Sequence, residues 1–246
     1  MQGDYKNVTI SLGRLPYVSF VDEGMVIDDS VSGGQITVGN AVKGTLTVGR
    51  WNNDPDNNGN KTFSYQGIEL YNDRNDKVTW GIAYHHLRNK DFFNGVYTDN
   101  GKDSINLWEV GLGWKMDDNF RIHGAYAWNT SGESANFGGS GYATDHAAKS
   151  WSVELDYKGA DPKKTGSWGA FVAYRSIGNY AAVSPTYDAM TFGQQGCEIG
   201  FDIVPMRNFQ ATFKYFTGHD HRWTRRNLNN DRHRASKFFA ELNFFF

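Results

Sequence analysis

The chain has 246 residues, with 25 Lys and Arg, 27 Asp and Glu, and one Cys. This near-neutral charge lacks the basic excess of nucleic-acid-binding proteins, and one cysteine excludes an intrachain disulfide framework or a cysteine-based zinc module. The longest apolar run, counting glycine, is the seven residues 168–174, whereas a membrane-spanning helix needs about 18. The sequence therefore predicts no transmembrane helix and no nucleic-acid partner.

The composition is unusual for a hydrophilic chain. Aromatic residues make up 15% of it, beside 28 glycines and only 5 prolines. The Leu, Ile and Val that fill the core of most soluble domains are scarce. Together these features indicate a β-protein whose apolar surface is a thin band rich in aromatic rings, as in outer-membrane β-barrels.

Apolar and polar residues alternate with a period of two from end to end, which predicts strands with one apolar face. The predicted strands contain residues 8–12, 35–38, 45–48, 62–71, 77–87, 105–115, 120–128, 151–157, 168–175, 197–203, 209–215 and 238–246. In 62–71 the alternation slips, because Phe63 and Tyr65 are out of phase with Ile68 and Leu70. A β-bulge near Gly67 is predicted there.

The two faces of these strands differ in a way typical of a membrane barrel. Aromatic residues stand at both ends of the apolar face, as with Trp108 and Trp114, and resemble two interfacial girdles. The opposite face is predicted to line a water-filled pore, because a soluble core could not hold so many charges. Its acids are Glu109, Glu154, Asp156, Glu198, Asp202 and Glu241, and its bases are Lys43, Arg121, His123, Arg175 and Lys214.

Short turns alternate with long connections along the chain, which is the rule for barrels with short periplasmic turns and long outer loops. The long connections are predicted at 15–32, 52–61, 88–104, 129–148, 177–189 and 218–236. The predicted fold is an all-β, antiparallel transmembrane barrel with 12 strands in this chain, and residues 1–246 form one domain.

The connection 15–32 is the first candidate for a functional loop. Its apolar residues are too many for a solvated loop, so it is predicted to fold into the pore and narrow it; the alternative is an outer loop packed on its neighbours or on another subunit. Its acids are Asp22, Glu23, Asp28 and Asp29. If these acids face the basic residues of the wall across the pore, they would create a transverse electric field that tunes ion selectivity. The alternative is that the basic residues pair with carboxylates of the wall and only make the wall more rigid.

Residues 6–17 (KNVTISLGRLPY), 23–29 (EGMVIDD) and 34–39 (GQITVG) resemble the barrel of OmpM-type porins, the S-layer-homology-domain porins of diderm Firmicutes. The resemblance covers the chain but begins inside the family's barrel. It implies a preceding tether domain, further strands, a homotrimer and a 16-strand parent porin of which this chain is a part. A genuinely smaller barrel of 12 strands is the alternative. In the 16-strand porin, 15–32 is the third outer loop. The terminal Phe246 matches the signal read by the barrel-assembly machinery.

Two other motifs are candidates for binding sites. Asp54, Asp56 and Asn58 match the first half of a calcium loop, but the required Glu is replaced by Tyr65, so a turn rich in Asp and Asn is the commoner meaning. No metal or cofactor is predicted. The histidine- and arginine-rich connection 218–236 favours a lipid phosphate or another outer anion over a metal ion, with a solvated loop as the simpler alternative.

The predicted function is a porin of the bacterial outer membrane that lets small hydrophilic solutes and ions diffuse passively. No Gly-x-Ser-x-Gly or His-Glu-x-x-His pattern occurs, so an enzyme is not predicted. The main alternative is a monomeric 12-strand channel for acidic oligosaccharides, which would require a basic ladder rather than this mixed lumen. A plugged barrel acting as a tether or adhesin is a further alternative.

Overall fold

A computed structural model describes residues 2–52, 62–72, 76–89, 104–131, 147–221 and 233–246. The described chain forms a 13-stranded antiparallel sheet. Its strands are β1 (Gln2–Tyr5), β2 (Val8–Val18), β3 (Asp28–Gly39), β4 (Val42–Asn52), β5 (Thr62–Asn72), β6 (Val78–Arg88), β7 (Ser104–Lys115), β8 (Phe120–Asn129), β9 (Lys149–Lys158), β10 (Trp168–Ile177), β11 (Gln194–Met206), β12 (Phe209–Asp220) and β13 (Arg234–Phe244). Within these ranges no helical segment has the length and hydropathy of a membrane span.

Each strand pairs with its neighbours in chain order, which confirms the predicted all-β antiparallel architecture. The short β1 was not predicted, and it pairs with β2 over four residues, Gln2–Tyr5. The sheet is not closed: in the described part of the chain, β13 pairs only with β12, and no ladder joins it to β1 or β2. The ends of the sheet are therefore two open edges.

The predicted bulge near Gly67 is wrong. The β4–β5 and β5–β6 ladders run through Gly67 without a register shift, so that it faces Thr47 on one side and His85 on the other. Phe63 and Tyr65 lie on the same inner face as Glu69 and are buried. The alternation slips because the inner face changes from polar to aromatic where it packs against an apolar loop.

In this sheet the apolar side chains of the outer face are exposed and several charged side chains of the inner face are buried, the reverse of a soluble protein. The outward Ile68, Leu112 and Ile199 are 57%, 64% and 52% exposed. Of the inward carboxylates, Glu109 and Glu198 are 0% and 1% exposed. An outer face of this kind is stable next to lipid, because exposed apolar surface in water costs about 25 cal/mol per Å². The strand faces thus have the orientation expected of a membrane barrel.

Aromatic rings form contacts at both ends of the outer face. Near the long connections, Tyr84 packs on Trp108 and Trp108 on Trp128, with centroids 4.9 and 6.4 Å apart. Near the short turns, Tyr157 packs on Trp168 at 5.4 Å, and Lys158 extends its ammonium over the Trp168 ring at 4.9 Å. Rings that are apolar in body and polar at the edge suit the two membrane–water interfaces.

Candidate functional site

The first inward loop, residues 19–27, connects β2 and β3. It is shorter than the predicted 15–32, because both strands extend into that range. Asp28 and Asp29 therefore belong to β3 and not to the loop. Asp29 accepts a hydrogen bond from the Trp51 indole at 2.7 Å, so its carboxylate is held on the wall.

The apolar residues of this loop are inside the sheet, which is where the sequence predicted them. Met25, Val26 and Ile27 are buried, in one cluster with Tyr17 and Leu87 of the wall. Burying each such side chain stabilises the docked loop by about 1.5–3 kcal/mol relative to exposing it. The loop is thus a packed part of the interior rather than a solvated outer connection.

Two glycines of the wall form a recess for this loop. Gly81 of β6 and Gly111 of β7 face each other across the ladder, and Val21 lies directly over them. A Cβ at Gly111 would overlap the Val21 carbonyl oxygen, and one at Gly81 would be 2.8 Å from a Val21 methyl. Close backbone approach of this kind is possible only at glycine. Sequence reasoning missed the recess, although two inner-face glycines on adjacent strands were a readable signal.

A second inward loop, residues 178–193, connects β10 and β11. The connection 177–189 was predicted to be an external polar one, but Tyr180, Ala181, Ala189 and Met190 are buried in the interior cluster. Its apolar content is the same signal that identified the first loop. Two loops, not one, therefore fold into the interior.

The two inward loops are joined by backbone hydrogen bonds. Val183 and Ser184 donate to the Val26 carbonyl at 2.8 and 3.0 Å, and Asp28 donates to the Ser184 carbonyl at 2.6 Å. Thr186 donates to the Gly24 carbonyl at 2.9 Å. Backbone groups buried away from water need hydrogen-bond partners. Each loop provides such partners for the backbone of the other, so the two loops form one structural unit.

A chain of buried polar side chains fixes the first inward loop to the wall. The Tyr17 hydroxyl donates to Glu69 at 2.8 Å, and the Ser19 hydroxyl donates to Glu109 at 2.8 Å. His85 lies 3.0 Å from Glu109 through its Nε2 and 2.7 Å from the Tyr65 hydroxyl through its Nδ1. Glu109 was predicted to line a pore. It faces inward, but it is completely covered and anchors the loop.

Asp22 closes the turn of this loop on itself. Its carboxylate accepts hydrogen bonds from the backbone N–H groups of Gly24 and Val26, at 3.1 and 2.8 Å. It was predicted to project into the opening or to bind a wall arginine, and it does neither in this structure, since it is buried. Burial first, and the Glu109 carboxylate second, raise the pKa of Asp22 well above its ordinary value.

Docking of the first inward loop should weaken as pH rises. Because the docked state raises the pKa of Asp22, its contribution to docking is fully present below the ordinary aspartate pKa of about 4. It is lost as pH rises toward the raised pKa. In hydrogen–deuterium exchange, protection of the amides in 22–27, corrected for intrinsic rates, should fall with pH in the natural protein and less so in Asp22→Asn.

The control for this experiment is Asp161→Asn, in the turn between β9 and β10. It should keep the pH slope of the natural protein. An identical slope in Asp22→Asn would contradict the prediction and assign the pH dependence to the other buried carboxyl groups.

Beyond the tip of the first loop, the wall carries a mixed-charge cluster. Glu23 of the loop forms an ion pair with Arg121 of the wall. His123 Nε2 lies 3.3 Å from Asp156 and 3.6 Å from Glu154. His123, Glu154 and Asp156 offer three donor atoms within 4.8 Å of one another, a spacing that could hold a metal ion. Arg121 and Arg175 already pair with Asp156 and Glu154, the two carboxylates of this group. Binding of a metal cation there is therefore disfavoured.

Arg175 connects this cluster to the second inward loop. It is 3% exposed and binds Glu154 and Glu198, the latter at 2.5 Å. Its guanidinium carbon lies 4.2 Å from the centre of the Tyr187 ring, a cation–π contact. Burial raises the pKa of Tyr187 to about 12, so the hydroxyl stays neutral. Arg175 thereby holds two strands and a loop together.

Lys214 of β12 secures the other end of the second loop. Its ammonium lies 2.6 Å from the Asp188 carboxylate, and Lys237 of β13 donates to the Asp188 carbonyl at 2.6 Å. The predicted base Lys214 is therefore paired with a loop acid that the sequence did not single out.

The remaining predicted residues lie apart from this cluster. Asp202 accepts hydrogen bonds from Thr212 and Gln210, at 2.5 and 3.2 Å. Lys43 is half-buried on the inner face of β4, and Glu241 is exposed on the edge strand β13. The calcium motif Asp54, Asp56 and Asn58 lies outside the described residues, as does most of the histidine–arginine connection.

A cavity of about 170 Å³ remains between the two inward loops and the wall. Both aromatic and charged groups line it. Its lining includes Phe20, Glu23, His123, Glu154, Phe171, Arg175, Tyr187, Glu198 and Lys214. Several of the predicted site residues, of both charges, thus lie around one cavity.

Solved structures provide the comparison, since no protein-family model and no curated protein sequence matches the chain. Acinetobacter baumannii OccAB1 is similar with a TM-score of 0.57 and 14% identity, over 99% of this chain and 65% of that one. Pseudomonas aeruginosa OccK5 (OpdH) gives 0.56 and 13%, over 100% and 69%. A mutant of the Rh. blastica porin gives 0.51 and 14%, over 99% and 75%.

These likenesses define the fold. The chain has the fold of porin-like β-barrels, and its open sheet corresponds to between 65% and 75% of the length of these three chains. At 13–14% identity, the comparison extends to architecture and not to substrate. The finer resemblance to OmpM-type porins stays a prediction.

Proposed function

We propose that this chain forms the wall of a water-filled channel in the bacterial outer membrane, through which small hydrophilic solutes and ions diffuse passively. The observation that carries the proposal is the mixed-charge cavity at the inward loops of a porin-like sheet. Its carboxylates and cations form ion pairs, such as Glu23 with Arg121 and Glu154 with Arg175. They suit a narrow passage in which charged walls meet hydrated solutes.

The two inward loops together are the proposed constriction. Glu23, in direct contact with Arg121, and the neighbouring His123 would place a local field at the edge of the passage. Arg175 and Lys214, with their carboxylate partners, would continue this charged border. In a narrow passage, unit charges about 4 Å apart interact by about 4 kcal/mol at an effective dielectric of 20. Such a field orients dipolar solutes and sets the preference between cations and anions.

Planar-bilayer recording tests the function directly. The purified chain should give stepwise, ohmic conductance without any energy source or cofactor. A bilayer that stays sealed at high protein load would overturn the proposal.

Reversal potentials in a salt gradient should shift toward anion preference in Glu23→Gln, because Arg121 then lacks its opposing carboxylate. The shift should be largest in dilute salt, where screening is weak.

The expected partners follow from this placement. They are outer-membrane lipid on the apolar face and the barrel-assembly machinery, for which the exposed terminal Phe246 is the proposed signal. A homotrimer is the assembly that the family resemblance implies. Cross-linking of the membrane-inserted protein would distinguish the trimer from the monomer that a small substrate-specific channel requires.

A further inference from the structure

A groove of about 610 Å³ lies on the outer face of the sheet, where β12 ends and β13 begins. Two directly opposed pairs form its sides, since Thr217 faces Ser236 and His219 faces Arg234 in the antiparallel register. These positions have the same parity as the exposed outward residue Tyr215, which also lines the groove. The groove is therefore separate from the interior cavity and opens toward the surroundings of the barrel.

The polar side chains of the groove are donors suited to an anion. They are the Arg234 guanidinium and the hydroxyls of Thr217 and Ser236, with the His219 imidazole beside them, and no carboxylate lines the groove in the described part of the chain. Arg234 is exposed, and its guanidinium has no hydrogen bond or ion pair to any described residue. A planar guanidinium beside hydroxyl donors matches the oxygens of a phosphate.

The position of the groove along the strands indicates that its ligand also has an apolar part. Arg234 is the first residue of β13, and His219 is the next-to-last residue of β12, so the donors stand at the end of the strands. Two pairs further into the sheet, Tyr215 faces Phe238, and both rings are exposed. A ligand that fills the groove thus meets donors at one end and the Tyr215 ring at the other. The Phe238 ring opposite Tyr215 extends this apolar surface beyond the groove, which fits an amphiphile better than a free ion.

We propose that this groove binds a phosphate-bearing membrane lipid. The phosphate lies on Arg234 and the adjacent hydroxyls, and the acyl chains run along Tyr215 and Phe238. This inference rests on the membrane placement in the proposed function, but it concerns the outer wall and requires no particular conductance.

Retention of lipid by the folded full-length protein tests the proposal. Native mass spectrometry from detergent should detect phosphatidic acid bound more tightly than phosphatidylcholine. Arg234→Gln should weaken phosphatidic acid binding about tenfold, the loss expected for one charge-assisted hydrogen bond. The matched control is Arg207→Gln, an exposed arginine in the turn between β11 and β12, at the other end of β12, and it should bind like the natural protein.

The other outcomes are equally decisive. Equal losses in both variants, or no preference between the two lipids, would overturn the groove as a lipid site. Displacement of phosphatidic acid by inorganic phosphate at matched concentration would assign the groove to free anions instead. Circular dichroism establishes that Arg234→Gln keeps its sheet, and Arg234→Lys, which retains the charge, should bind between the two.

Failure of this proposal is distinguishable from failure of the proposed function. Conductance in planar bilayers should be unchanged in Arg234→Gln, because the groove faces away from the passage. Selective lipid retention by a protein that never conducts would leave the lipid site standing and remove the channel.

Discussion

Replacing Gly111 by valine should expel the first inward loop from the wall and raise single-channel conductance severalfold. A Cβ at this position overlaps the Val21 carbonyl oxygen, and a backbone atom cannot rotate away as a side chain can. The loop must therefore leave its recess, and with it the hydrogen bonds that join it to the second inward loop. Planar-bilayer recording of the purified variant measures the change.

The control for this variant is Gly44→Val in β4. An added Cβ at Gly44 meets no heavy atom within 4 Å, so its conductance should match that of the natural protein. Natural conductance in Gly111→Val, with the β-sheet signal intact, would show that the docked loop does not limit the passage. An equal increase in both variants would point to general disturbance of the sheet.

Arg175→Met should destabilise the folded barrel by about 3–5 kcal/mol, the cost of removing one partner from a buried ionic cluster. The substitution leaves the buried Glu198 and the partly buried Glu154 without their shared cation. It also removes the contact with the Tyr187 ring of the second inward loop. Equilibrium unfolding by guanidinium chloride of protein refolded into lipid vesicles measures the loss.

Two further variants separate charge from packing in this experiment. Arg50→Met replaces an exposed arginine and should change the free energy of unfolding by less than about 1 kcal/mol. Combining Arg175→Met with Glu154→Gln and Glu198→Gln removes the uncompensated carboxylates and should restore most of the stability. If the triple variant is as unstable as Arg175→Met, then lost packing, not unpaired charge, is the cause.

The sequence was most informative about the strands and their faces. Alternation at period two is a local pattern, so residues such as Ile199 and Glu198 could be assigned to opposite faces from the sequence alone. The same pattern failed at Phe63 and Tyr65, because inner-face residues can be apolar where a loop packs against them. There the first inward loop covers the wall. Packing by a segment that is distant in sequence cannot be read from the local pattern of residues.

The candidate site was predictable only in part, for a related reason. Glu23 and Arg121 carry opposite charges on a loop and a wall, and their pairing follows from the inward fold of that loop. Whether an inward carboxylate borders the cavity, as Glu23 does, or is buried beneath a loop, as Glu109 is, depends on how deeply the loop docks. The second inward loop was missed because Asp188 and Thr186 in it resemble the residues of a solvated connection.

The contact between Val26 and Ser184 also bears on how the protein folds. These residues are far apart in the chain, and their segments meet only inside the sheet. Contacts with such long sequence separation form late, because the intervening chain must first be ordered. The wall from β3 to β10 should therefore assemble before the two loops join. After insertion into the membrane, the interior should at first be wide because the loops are not yet docked. In a time-resolved vesicle-leakage experiment, permeability should therefore be high at early times and fall as the two loops join.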